Sequence, residues 1–162
     1  MSNSKEHLSW CLEKDQIEFD SPNEMLAEDY LNKARETLEV AKLLEENEYY
    51  DWSVTASYHA RYFVLTALLR RCGFKVDNHA CAITLFEFAF IEPGKFDEEF
   101  LDSIKRGRNE RVEKQYGITK TTDTKSAKQR EKAIDFVTEL TGYMEGISSE
   151  IINEIRKLVK NF

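Results

Sequence analysis

A chain of 162 residues with 41% apolar residues, ten Phe and seven Tyr can bury one sizeable core, and it is too aromatic for a disordered segment. Six Gly and two Pro are few for an all-β fold and suit helices. The net charge of −7 is unevenly spread: ten Lys or Arg against four acids between Lys105 and Lys132 give that window +6 and leave −13 on the rest, an acidic body with one basic segment.

Residues 1–20 hold a short apolar cluster, Leu8, Trp10, Cys11 and Leu12, expected to form one or two helical turns packed on the main body. Ser21-Pro22-Asn23 followed by Glu24 is a helix-start signal. Leu26, Tyr30, Ala34, Leu38, Ala41 and Leu44 then recur at helical spacing as far as a break at Asn47-Glu48. A second helix is expected to open with Asp51 as N-cap and to run through Trp52, Tyr58 and Phe63 to Leu69. It is apolar on nearly every face and therefore buried by several neighbours. Arg70-Arg71 and Gly73 end it.

Asn78 caps a third helix, from His79 to about Ile91, and Pro93-Gly94 is a turn. A fourth helix opens near Asp97 and buries Phe100, Leu101 and Ile104. The same stripe continued by fours reaches Arg108 and Val112, which places an Arg on the inward side with Gly107 beside it to admit a close neighbour. After Tyr116-Gly117, residues 118–126 read as a loop. A near-heptad row from Ala133 to Leu158 then reads as one last helix of about 36 residues, roughly 54 Å if straight, bent near Gly142 or Gly146. The expectation is one all-α domain over 1–162: an antiparallel up-and-down bundle of four to five helices, with residues 1–23 as a short helical extension packed on it.

Three cysteines (Cys11, Cys72 and Cys81) are odd in number and lack a CxxC spacing. They argue against a disulfide framework and for a reducing compartment. The opening residues show no signal-peptide pattern, and the most apolar stretch, Val54 to Leu69, is interrupted by His59 and Arg61, so a cytoplasmic protein without membrane association is expected. No P-loop, GxGxxG, HExxH or GxSxG motif occurs. Cys72, His79 and Cys81 lack a fourth ligand for structural zinc, and no metal or cofactor is expected. His59 reads as a hydrogen-bonded core side chain. The acid pairs Glu45-Glu46 and Glu98-Glu99 read as solvated faces.

The informative stretch is Lys105 to Gly117. Arg108 and Arg111 can share one helix face and offer the planar donors that suit phosphate, Asn109 adds an amide, and Tyr116 can stack at the helix end. Arg106, Arg108, Arg111, Lys114 and Tyr116 form the candidate phosphate- or nucleotide-binding set. The same residues also read as an internal salt-bridge network, with Arg106 or Arg111 tied to Glu110 and Glu113.

Ala27-Glu28-Asp29-Tyr30-Leu31-Asn32-Lys33-Ala34 with Leu38 resembles the first bundle helix of HEPN-domain proteins. Ser57 to Leu69 resembles their buried second helix, Asn78-His79 leading into Ile83, Leu85 and Phe86 the start of their third, and Arg108 to Gly117 their Arg-containing segment ending in Tyr-Gly. The likeness covers about residues 24–160, and the Trp10-Cys11-Leu12 leader is similar to that of small prokaryotic, often archaeal, members. The resemblance implies a homodimer, often paired with a small nucleotidyltransferase as toxin and antitoxin. It also implies, for catalytic members, a metal-independent ribonuclease using an Arg, a following polar residue and a His four to six residues on.

Arg108 and Asn109 match the first two positions, but no histidine follows His79, and Glu113, Lys114 and Gln115 stand where one would fall. Glu113 as a base would need a raised pKa, whereas four nearby cations favour its charged form. The expectation is a non-catalytic or weakly active subunit that binds a nucleotide or RNA. The alternatives are a ribonuclease toxin using Arg108, Asn109 and Glu113, and a purely structural dimerisation adaptor.

Overall fold

The computed structural model describes the backbone of residues 2–117 and 120–162, with the side chains among them except those of residues 2 and 113–116. Among the described residues, seven α-helices and one two-stranded ribbon follow in the order α1 Ser2–Glu13, β1 Ile17–Phe19, α2 Glu24–Glu46, α3 Tyr50–Arg71, β2 Phe74–Val76, α4 His79–Phe86, α5 Glu98–Tyr116, α6 Asp123–Glu145 and α7 Ser149–Lys160. The all-α bundle expected from the sequence is the fold observed. No helix among the described residues is long and apolar enough to cross a membrane.

The helix starts follow local chemistry. Asn23 accepts from Leu26 N at 2.9 Å and Asn78 from Cys81 N at 3.0 Å, each satisfying an orphan donor of the first turn. Asp51 is not the N-cap of α3: the helix begins at Tyr50 behind Tyr49, and the Asp51 carboxylate instead accepts from Thr121 N at 2.8 Å. It ties the segment after α5 to the start of α3.

α3 is the axis of the bundle and packs against α2, α5 and α6. Its all-round apolar sequence follows from that position, since Val54, Tyr58, Ala60, Val64, Leu65 and Leu68 are all buried among these neighbours. Ser53 Oγ donates to the Ala41 carbonyl at 2.8 Å across the α2–α3 contact. Glu45 is not solvated: it is half-buried in an ion pair with Arg130 that joins α2 to α6, whereas Glu46, Glu98 and Glu99 are exposed as expected.

Four further features depart from the sequence reading. The leader is a three-turn helix followed by β1, which pairs antiparallel with β2 in the register Ile17–Val76, Glu18–Lys75 and Phe19–Phe74. Behind that ribbon, Arg156 of α7 donates to the carbonyls of Asp20 and Gly73, both at 2.8 Å. Gly73 lies at φ +82°, and a Cβ there would run into Arg156 and the Asp20 carbonyl. The predicted last helix is two: α6 stops at Gly146, and Ser148 caps α7 by accepting from Ile151 N at 3.2 Å. The loop is shorter than 118–126, because Thr122 accepts from Lys125 N and starts α6 at Asp123. Finally, α4 passes into a single π-helical turn, Glu87–Ile91, within the predicted third helix.

The cysteine expectation fails in one respect. Cys11 and Cys81 are joined in a disulfide that bridges α1 and α4. Cys72 is a buried thiol, pushed up to about 12 by burial, and is chemically quiet.

Candidate functional site

Two sides of α3 carry polar groups inward, and they do different things. Arg61 is 1% exposed, and its guanidinium reaches between α5 and α6. Nη1 donates to the Ser103 carbonyl at 2.7 Å, and Nη2 donates to the carbonyl and Oε1 of Gln129 at 2.7 and 2.8 Å. No carboxylate lies within ion-pair distance among the described residues, so the charge is held by backbone and amide dipoles, and burial lowers its pKa to about 10. Gly107 is explained by this contact, since a Cβ at 107 would collide with Arg61 Nη1. The close neighbour that Gly107 admits is therefore a side chain of the same chain.

One turn earlier on α3, Tyr58 faces α4 and α5. Tyr58 Oη and His79 Nδ1 share a 2.8 Å hydrogen bond. Tyr62 stacks on the His79 ring with centroids 3.7 Å apart and planes 14° apart. His79 is placed by the Asn78 cap, which holds the first turn of α4 against α3. From α5, the Arg111 guanidinium lies over the Tyr58 ring at 5.4 Å, and Arg108 stands one turn before it on the same face. Burial raises the Tyr58 hydroxyl to about 12 against the opposing pull of Arg108 and Arg111. Burial, then Arg111, His59 and Arg108, hold His79 down at about 4. His59, half-buried and stacked on Phe63, is lowered by burial and by Arg111.

Arg108 is half-buried, its Nε has no hydrogen-bond partner, and among the described residues no carboxylate lies within 4.0 Å of it. A cation so placed beside a neutral His and a protonated Tyr can accept an anion with two kinds of donor at hand, its own guanidinium and the one proton that the Tyr58–His79 bond leaves over.

The predicted site residues separate into two groups. Arg108 and Arg111 face the Tyr58–His79 pair. Arg106 and Asn109 are exposed on the other side of α5 and line a groove with Lys125, Lys128 and Lys132 of α6. The Lys132 ammonium is lowered by burial and by Lys128, Arg106 and Arg61, as expected for crowded cations. Arg108 and Asn109, adjacent in sequence, thus do not converge. Nor does the apolar stripe continue through Arg108: Val112 is 43% exposed. The side chains of Glu113, Lys114 and Tyr116 lie outside the described residues.

Spacing gives Tyr58 and Tyr62 no role beyond the polarity of a buried helix and marks His79 only as part of an incomplete zinc set. The contact between His79 and the Arg108–Arg111 face spans about thirty residues and leaves no local pattern. A pH dependence follows. The folded His79 pKa lies below the ordinary His value near 6.5, so its neutral form is favoured in the fold. That contribution is complete above pH 6.5 and is lost as pH falls through 6.5 toward 4. Urea denaturation at pH 7 and pH 4.5 should show a smaller loss of stability for His79→Gln than for the unmodified chain.

The HEPN domain pattern matches residues 27–147, from α2 to the turn after α6, leaving α1, β1 and all of α7 outside. A Thermotoga maritima protein named "UPF0332 protein" is 25% identical over 134 residues, covering 83% of this chain and 96% of its own length. Two Methanocaldococcus jannaschii proteins are similar over shorter stretches. "Putative toxin MJ0142" is 27% identical over 57% of this chain and 63% of its own length. "Putative toxin MJ0605" is 31% identical over 56% and 67%. With about three quarters of its length matched by that pattern, the chain belongs to the HEPN-domain family.

Proposed function

We propose that this chain is the HEPN subunit of a toxin–antitoxin-type pair and that it grips the phosphate backbone of single-stranded RNA at the α3–α4–α5 cluster. The observation that carries the reading is Arg108, half-buried and without a carboxylate partner among the described residues, beside Arg111 and the Tyr58–His79 pair. Arg111 and Arg108 supply the charge-assisted donors, and Tyr62 with His79 offers a stacked ring surface for a base. On the other side of α5, the groove of Arg106, Lys125, Lys128 and Lys132, which Glu110 also lines, offers a second, net positive surface to a strand that passes around the helix. Toxin-related names among the relatives support the family setting. The test is fluorescence anisotropy with a short labelled single-stranded RNA: binding that weakens with salt is expected, and Arg108→Ala should remove most of it. Binding of free nucleotide but not RNA would replace the RNA reading.

A partner is proposed on the neighbouring face of α3, where His59 also stands. Leu44, Trp52, Ala56 and Phe63 line an apolar groove between α2 and α3, and Trp52 and Leu43 are 55% and 58% exposed. This face is assigned to self-association, leaving the basic surface for RNA and a small nucleotidyltransferase as the second protein of the pair. Sedimentation equilibrium should show a dimer that Trp52→Glu converts to monomer with unchanged helical content. A monomeric unmodified chain would exclude the assignment.

One observation favours a ribonuclease reading. His79 is a neutral imidazole at pH 7 beside Arg108, and a phosphate bound there would relieve the repulsion that helps depress its pKa. Metal-free cleavage of single-stranded RNA that is lost in His79→Gln, with binding kept, would establish it.

A further inference from the structure

The disulfide between α1 and α4 has a third group built beside it. His7 stands one turn before Cys11 on α1. Its Nε2 lies 3.7 Å from Cys11 Sγ, and its ligand atom and both sulfurs all fall within 4.8 Å of one another. Cys11 and Cys81 are fully buried, and His7 is half-buried.

The His7 tautomer follows from its neighbours. The Thr84 hydroxyl donates its one proton to the Ala80 carbonyl at 2.9 Å. In the tautomer that keeps this bond, the 2.7 Å contact between Thr84 Oγ1 and His7 Nδ1 is a hydrogen bond donated by Nδ1–H. Nε2 is left with a free lone pair on the side of the sulfurs. A ring nitrogen oriented by a hydrogen bond from its other nitrogen is how metal-ligating histidines are held.

We infer that His7, Cys11 and Cys81 form a redox-gated site for a thiophilic divalent cation, closed as the disulfide and open when the two sulfurs are thiols. A dithiol donor opens the bridge with two electrons and two protons and leaves as its own disulfide. The cation then displaces the two thiol protons. Zn2+ with two thiolates and a neutral imidazole carries no net charge, which suits a buried position. In a tetrahedral site with Zn–S near 2.3 Å the sulfurs sit about 3.8 Å apart, so they must draw apart once the bridge is opened, whereas His7 Nε2 already stands 3.7 Å from Cys11 Sγ. Three protein ligands leave the fourth position to water, which the half-buried His7 side admits. Both states clamp the leader, which lies outside the matched HEPN segment, to the helix that carries His79.

The test uses the full chain, reduced with a phosphine, stripped with a chelator and titrated with Co2+ and then Zn2+ without oxygen. One Co2+ per chain is expected, with a near-ultraviolet thiolate charge-transfer band that one equivalent of Zn2+ abolishes. The oxidised chain should take up none, and Cys72→Ser should behave as the unmodified chain. Cys81→Ser and His7→Ala should lose the band, and Thr84→Val, which removes the acceptor but keeps the volume, should weaken binding about 10–100-fold. Absence of the band in a reduced chain that keeps its helical circular dichroism would overturn the proposal. So would an unaltered band and affinity in His7→Ala, a variant that keeps both sulfurs.

Discussion

Replacing Arg61 by alanine should lower the stability of the chain by on the order of 3–5 kcal/mol, the largest loss expected from any single substitution outside the hydrophobic core. The side chain is among the largest fully buried ones, and it ties α3 to α5 through Ser103 and to α6 through Gln129. Truncation opens a cavity at the junction of three helices, and it removes three charge-assisted hydrogen bonds at once. For a domain of this size the midpoint of thermal unfolding should fall by on the order of 10 °C. Arg61→Met should cost clearly less, because the volume is kept and no charge has to be buried. Gly107→Ala makes the reciprocal change: the new methyl displaces the Arg61 guanidinium, costing about 1–3 kcal/mol although alanine is the better helix former. If Arg61→Ala unfolded at the same temperature as the unmodified chain, the role assigned to this residue would be wrong.

Arg108→Ala should have the opposite profile, with stability nearly unchanged and RNA binding weakened about 10–100-fold, the worth of one to two charge-assisted hydrogen bonds. Its guanidinium holds no carboxylate among the described residues, so its removal breaks no ion pair seen in the structure. The slope of log affinity against log salt should also become shallower by about one unit for each phosphate no longer neutralised. Arg106→Ala, at the exposed edge of the α5–α6 groove, should cost only a few-fold. Equal effects at 106 and 108 would point to a diffuse positive surface rather than a built site.

What the sequence disclosed and what it concealed divide by range. Asn23, Asn78 and the stop at Asn47-Glu48 were legible because capping and chain reversal are settled within a few residues. Asp51 misled because a carboxylate at a helix start serves equally well as a cap or as a distant acceptor, and Thr121 lies seventy residues away. The heptad row from Ala133 to Leu158 ran through the Gly146–Ser148 break because α6 and α7 both turn apolar residues to one core. Three-residue strands carry too short a pattern to show. Arg61 read as an interruption of an apolar run, yet it is the polar centre of the bundle. The Cys11–Cys81 pair and the His79–Tyr58–Arg108 grouping depend on tertiary placement that spacing along the chain does not encode. No histidine follows Arg108 in the chain, and the one that stands near it in the fold comes from the start of α4, some thirty residues earlier.

For a phosphate held between Arg108, Arg111 and the Tyr58–His79 pair, the His79 ring is the natural reporter. Its protonation should be followed by nuclear magnetic resonance across pH 3–8, with and without saturating single-stranded RNA. In the free chain the ring should titrate near 4. With RNA bound, the anion offsets both guanidinium groups and the midpoint should move upward, by less in Arg108→Ala. A midpoint that stays in place while RNA is demonstrably bound would contradict the account and put the strand elsewhere on the molecule.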